Sequence, residues 1–136
     1  MTQKQKELLL KDLCARLPYG VKISIPDLWS KKRDVEILDE IFKGDDGLYR
    51  VNSKGQCIEY VKPYLFPLSS MTEEQKVEFD KASELDIEYT ITQIKNDSLL
   101  WTSGLNRFNW FLKNHFDVYG LIPMDLAIDA TELSIY

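Results

Sequence analysis

Residues 41–61, IFKGDDGLYRVNSKGQCIEYV, decide the fold. Two clusters of turn residues, Gly44-Asp45-Asp46-Gly47 and Asn52-Ser53-Lys54-Gly55, separate short runs rich in β-branched and aromatic side chains. Asn, Asp and Gly tolerate the positive φ of tight reversals, so this is the pattern of consecutive hairpins. Upstream, Val35, Ile37 and Ile41 stand two or four apart, as on one face of a strand. The expectation is an antiparallel meander of three strands. Val21, Ile23 and Ile25, alternating with Lys22 and Ser24 and closed by Pro26, are the candidate fourth.

Helical periodicity flanks this centre. Leu9, Leu10, Leu13, Cys14 and Leu17 fall on one stripe of a 3.6-residue period, which predicts a helix over about 3–17, stopped by Pro18 and Gly20. After the meander, Pro63 and Pro67 hold the chain extended and cannot donate to a sheet ladder, so the segment is an edge strand or a packed connector. Thr72 with Gln75 then matches the capping box, and Glu73 and Glu74 suit the first turn of a helix starting there. Residues 85–95 carry both periods: Ile87, Ile91 and Ile94 have helical spacing, whereas Leu85, Ile87, Tyr89 and Ile91 alternate, and helix is the preferred reading. Leu105, Phe108, Leu112 and His115 or Phe116 predict a last helix, capped by Ser103 and ending near Asp117. The fold class is α+β: an N-terminal helix, an antiparallel three- to four-stranded sheet, then two or three C-terminal helices. It forms a single domain over 1–136, with helix and sheet in 1–67 and a mainly helical region in 68–136.

At 136 residues, 44% hydrophobic and 29% charged, the chain suits one globular domain that needs no disulfide framework. The opening MTQKQKELLLKDL interleaves lysines with its leucines, unlike a signal peptide, and nothing approaches the roughly 18 apolar residues of a membrane span. With only Cys14 and Cys57, the simplest reading is a cytoplasmic protein with free thiols, off the membrane, although a 14–57 bridge stays open.

Charge is unevenly spread. Residues 1–33 carry eight Lys/Arg against three Asp/Glu, and residues 34–136 carry nine against nineteen. A nucleic-acid binder gains affinity by neutralising phosphates, so the acidic body argues against broad DNA or RNA contact. Only Lys31, Lys32 and Arg33 offer a small phosphate contact, and a solvated turn is the preferred reading of them.

The strings LPYGVKISI, KPYLFPLSSMTEEQ, FNWFLKNHFDVYGLI and LAIDA resemble a group of small uncharacterised proteins from prophages and mobile elements of gut anaerobic bacteria. The phrases extend from about residue 17 to residue 130. The resemblance implies a setting and supplies no catalytic residues.

Candidate sites are few. His115 lies two residues before Asp117, and a histidine with a carboxylate orienter is a general-base pairing. It has no nucleophile motif beside it, and a single histidine cannot build the multi-histidine sites of catalytic zinc. The helix dipole explains a histidine at a helix C-terminus without catalysis. Asp45 and Asp46 lack calcium-loop spacing and are accounted for by turn chemistry, and Asp125 and Asp129 form no motif, so no metal and no cofactor are expected. Phosphate loops, CxxC, GxSxG and HExxH are absent. On the last helix, Trp110 falls off the Leu105, Phe108, Leu112 stripe and, with Arg107 and Lys113, is the candidate partner surface. The functional expectation is a non-enzymatic accessory protein that binds another protein non-covalently. The alternatives are a nucleic-acid accessory factor using residues 31–33, or an acidic mimic of DNA, which requires carboxylates gathered on one face.

Overall fold

The computed structural model describes residues 1–27, 32–81 and 102–136, with the backbone alone for 102–107. The first helix, α1 (Gln3–Arg16), opens with a capping box: Gln5 N donates to Thr2 Oγ1 at 3.1 Å, and Thr2 N donates to Gln5 Oε1 at 3.0 Å. Two of the orphan amides of the first turn are thereby satisfied. The buried stripe is Leu9, Asp12, Leu13 and Arg16, at i, i+3, i+4 and i+7. This corrects the stripe predicted from hydropathy, because Cys14 is exposed and Leu10 and Leu17 are only half-buried. Asp12 and Arg16 can enter the core because they neutralise each other at 2.8 Å, and Arg16 Nη2 also donates to the Phe116 carbonyl at 2.5 Å. Burial still pushes the Asp12 carboxyl up, against the pull of Arg16.

The strands are β1 (Lys22–Pro26), β2 (Arg33–Ile37), β3 (Ile41–Lys43), β4 (Tyr49–Val51), β5 (Gln56–Cys57), β6 (Lys62–Leu65) and β7 (Ile128–Asp129). They form two sheets, one of order β2-β1-β6-β7 and one of order β3-β4-β5. The predicted single meander is therefore divided. Val35 and Ile37 belong to the first sheet and Ile41 to the second, and the chain turns a corner between them around Asn52. That side chain, 3% exposed and at φ 56°, accepts from Asp39 N at 2.9 Å and donates to the Ile37 carbonyl at 2.8 Å and to Glu36 Oε2 at 3.1 Å. Of the third run, Gln56 to Val61, only Gln56–Cys57 pairs as a strand, since Ile58–Tyr60 forms a 3-10 turn.

The segment after Lys62 is neither edge strand nor connector: β6 lies between β1 and β7. Proline is accommodated there because β6 changes partner at Pro63. Lys62 and Pro63 pair antiparallel with β1, while Tyr64 and Leu65 pair parallel with β7. The sheet is accordingly mixed, where an antiparallel one was expected.

Turn chemistry closes the β3–β4 hairpin as predicted. Gly44 N donates to the Leu48 carbonyl at 2.8 Å, and Gly47 sits at φ 82°, which glycine adopts without a steric penalty. The second capping box is also present: Gln75 N donates to Thr72 Oγ1 at 3.1 Å, Thr72 N donates to Gln75 Oε1 at 2.9 Å, and residues 73–81 are helical (α2). The last helix, α3, covers Thr102–Lys113, with Ser103 inside it. Residues 85–95, where helix and strand periods coincide, lie outside the described residues. The stretch from Pro123 to Ala130 is turn followed by β7, so Asp125 and Asp129 share no helical face.

Leu9 and Leu13 of α1 pack on Val21, Ile23 and Ile25 of the β1 segment and on Leu38, Val51, Val61, Leu65 and Leu121. Each fully buried aliphatic side chain contributes about 1.5–3 kcal/mol. The architecture is α+β, with one core reaching both sheets and the C-terminal segment.

The buried pair makes a specific energetic prediction. Asp12→Ala leaves the Arg16 guanidinium buried without its counter-charge and is expected to cost about 3–5 kcal/mol. The double variant Asp12→Leu/Arg16→Met removes both charges and is expected to recover most of that loss, as read from urea unfolding midpoints at constant slope.

Candidate functional site

The C-terminal aromatic segment, residues 108–119, carries the chain's single histidine. Its helix ends in a Schellman motif: Phe116 N donates to the Phe111 carbonyl at 2.9 Å, His115 N donates to the Leu112 carbonyl at 3.1 Å, and His115 takes the left-handed position at φ 64°. Phe111 and Phe116 supply the apolar contact that accompanies this motif, edge to face at 6.1 Å. His115 stacks on Tyr136 at 3.8 Å with 12° between the rings. Desolvation first, and then the charges of Arg16 and Lys22, lower its pKa from 6.5 to about 4. A neutral imidazole gains nothing from the helix dipole at pH 7. The backbone conformation, which His tolerates better than most residues, is the better account of its position.

Asp117 does not orient His115. Its two carboxylate oxygens accept from Leu121 N at 2.8 Å and Ile122 N at 2.9 Å, so it organises the turn that follows, and His115 Nδ1 has no hydrogen-bond partner among the described residues. The sequence neighbours His115 and Asp117 are thus not brought together as a general-base pair.

Trp110 is half-buried. It stacks on Phe116 at 5.8 Å and meets Phe79 of α2 at 5.4 Å and Phe111 at 5.7 Å edge to face. These contacts tie α2 to α3, so much of the ring is committed internally. Lys113 is exposed, and the Arg107 side chain lies outside the described residues.

Of the basic segment, Arg33 is exposed but bonded to the fold. Arg33 donates to Ser24 Oγ at 2.5 Å, to the Ser24 carbonyl at 3.1 Å and to the Tyr60 carbonyl at 2.5 Å, which covers the otherwise polar face of β1. Lys32 is exposed and Lys31 lies outside the described residues. Among the described residues, many carboxylates are paired with cations: Glu59 with Lys6, Asp46 with Arg50, Asp34 and Glu36 with Lys54, Glu73 with Lys76 and Asp125 with Lys62. Among the described residues, no group of three or more His, Cys, Asp or Glu could hold a metal ion, and no helix is long and apolar enough to cross a membrane. Cys14 and Cys57 are both free thiols.

Sequence reasoning missed the outer edge of β2. Val35 and Ile37 are 48% and 56% exposed, and among the described residues no strand pairs with β2 on the side away from β1. The register fixes what this edge presents. Leu38 N donates to the Val21 carbonyl, and Leu38 and Val21 continue the β1–β2 register. Residues 34, 36 and 38 therefore aim their backbone groups at β1, and residues 33, 35 and 37 aim theirs outward. The Asn52 side chain takes the outward Ile37 carbonyl. Val35 N–H, Val35 C=O and Ile37 N–H point away from the sheet.

Side chains sort with the same alternation. Val35 and Ile37 lie on one face of β2, and Asp34 and Glu36 lie on the other beside Lys54, at 3.8 and 3.1 Å. The hydrogen bond from Asn52, and then Lys54, hold the Glu36 carboxyl below its ordinary range. On the far side of the second sheet, a recess of about 250 Å³ between α1 and β4–β5 is floored by Leu10, Leu48, Tyr49 and Ile58 and crossed by the Lys6–Glu59 ion pair at 3.2 Å. Small-molecule sites run to about 300–1,000 Å³, so this recess suits a side chain better than a cofactor.

His115 is expected to set part of the acid stability. The folded pKa, about 4, lies below the unfolded 6.5, so the unfolded chain binds more protons between those values. Stability from this group is complete above pH 6.5 and is lost as the pH falls towards 4. His115→Asn keeps a residue that tolerates the left-handed position, and its urea midpoint is expected to fall less steeply over that window than the wild type.

Comparison of the chain with protein-family models, with curated proteins and with solved structures finds no match, so any functional reading stands on the geometry of its own residues.

Proposed function

We propose that this chain is a non-enzymatic accessory protein of the bacterial cytoplasm, of prophage or mobile-element origin, that acts by binding another protein non-covalently. The observation that carries the reading is the outer edge of β2, where two large β-branched side chains lie open beside outward backbone donors and an acceptor. Folded proteins ordinarily blunt such edges with lysines, prolines, bulges or a covering element, because an open edge recruits other strands. An exposed apolar pair at that edge suits a protein whose work is contact. The same reading takes Trp110 and Lys113 as a secondary surface at most, given the internal ring contacts of Trp110.

Catalysis has little to draw on, since Asp117 and Arg33 are engaged in holding the backbone and His115 in capping a helix. The hydrogen bonds of Arg33 to Ser24 and Tyr60 count against the nucleic-acid alternative, and the pairing of carboxylates with Lys and Arg counts against the acidic mimic.

Affinity capture of the tagged full chain from cells that encode it, with and without nuclease, tests the proposal. A stoichiometric protein that stays bound after nuclease and in high salt is the expected result. Recovery of nucleic acid alone, released steeply by salt, would sink it.

A further inference from the structure

We infer that the outer edge of β2 takes up an extended segment of a partner protein as an added strand, and that this segment alternates apolar with basic residues. The inference rests on the protein-binding reading above and specifies the partner for that same surface.

Main-chain geometry defines the form of the ligand. Val35 directs both its N–H and its C=O outward and Ile37 its N–H, the spacing that an incoming strand meets with its own backbone. A helix cannot satisfy these groups, because its own backbone bonds are internal. Side chains define the composition. An added strand continues the two faces of the sheet, so its alternate residues fall beside Val35 and Ile37 on one face and beside Asp34 and Glu36 on the other. The first set meets exposed apolar surface. The second set meets two carboxylates with Lys54 as their near counter-charge, and the Lys54 ammonium also feels Asp27. Two carboxylates against one ammonium leave an excess of negative charge on that face, and lysine or arginine on the incoming strand complements it.

Charge also disfavours a second copy of this chain in the central registers. Pairing β2 antiparallel with its own copy about Val35 sets Asp34 against Glu36 of the other strand twice. Shifting the centre to Glu36 or Asp34 sets that residue against itself. Like charges directly opposite each other destabilise a strand pair, so the carboxylates that favour a basic partner disfavour self-association.

The probe is a fluorescein-labelled peptide of about six residues alternating valine and lysine, titrated with the full chain and followed by fluorescence anisotropy. Three controls accompany it: a valine–glutamate peptide, a fully N-methylated copy of the lysine peptide, and the full-length variants Val35→Lys and Asp34→Lys. Both variants change exposed side chains, and circular dichroism with a thermal melt verifies their fold. The expected result is saturable binding of the lysine peptide, no detectable binding of the glutamate and N-methylated peptides, and roughly fivefold or greater weakening by each variant. Equal binding of the glutamate peptide, retention of the N-methylated copy, or no binding of the lysine peptide would each overturn the inference. Sedimentation showing a dimer that Val35→Lys dissolves would assign the edge to a second copy and overturn it too. A captured partner that the Val35→Lys variant still holds would leave the protein-binding reading standing while removing this edge from it.

Discussion

Arg16 holds the two halves of the chain together. Its guanidinium is closed from solvent, bonded to Asp12 one turn earlier in α1 and to the carbonyl of Phe116, a hundred residues on. That carbonyl belongs to the residue closing the α3 Schellman motif, and the neighbouring backbone is in turn fixed to the end of β6, where Phe66 N donates to the His115 carbonyl and Asp117 N donates to the Phe66 carbonyl, both at 2.8 Å. One side chain thus fixes the first helix, the last helix and the interior strand with respect to one another. The arrangement leaves Asp12 Oδ1 and Arg16 Nη1 without partners among the described residues, which a purely apolar contact would not. Buried ion pairs commonly cost more in desolvation than they return, and in some proteins they specify one arrangement over another. Here the specified arrangement is the seating of the C-terminal segment on α1.

Much of the local structure is legible in the sequence because it depends on neighbours in the chain. Thr72 and Gln75 make the capping box their spacing implies, and the same T-x-x-Q pattern at Thr2 and Gln5 makes another, so the signal was present twice. The turns at Gly44 to Gly47 and Asn52 to Gly55 form where Gly, Asn and Asp cluster. What local pattern cannot supply is partnership. Asp12 and Arg16 look like the polar side of α1 until the Phe116 carbonyl arrives from far away in sequence. Pro63 argues for an edge until the strand is seen to change partner at that residue. Val35, Ile37 and Ile41 share a spacing but not a sheet, because Asn52 folds in from the following turn and pins the corner between them.

The same distinction explains the candidate sites. His115 and Asp117 are close in sequence, and proximity alone suggested a catalytic pair. Their backbone settings separate them: the left-handed φ of His115 turns the chain, and Asp117 then spends both oxygens on the amides of Leu121 and Ile122. Arg33 reads as surface charge and is indeed exposed, yet its guanidinium donates to three acceptors of the fold. Conversely, alternation of Val35 and Ile37 with Asp34 and Glu36 signals a strand with one buried face. Only the placement of β2 at the outside of the sheet reveals the apolar face to be the open one.

The two ends of that sheet differ in a way that bears on function. β7 is two residues long, and the chain leaves it at once into a turn in which Thr131 N and Oγ1 both donate to Asp129. A short strand closed by a turn offers little length for an incoming chain, which is a common way of protecting an edge. β2 is five residues long, and all five are paired in continuous register with β1. Its protection is selective: Asp34 and Glu36 repel a second β2 in each register centred within residues 34–36, yet they do nothing against a strand that carries the opposite charge. A pattern that repels its own copy while leaving the backbone groups of Val35 and Ile37 open guards the edge against self-pairing, and under the proposed binding role it also selects a strand of the opposite charge.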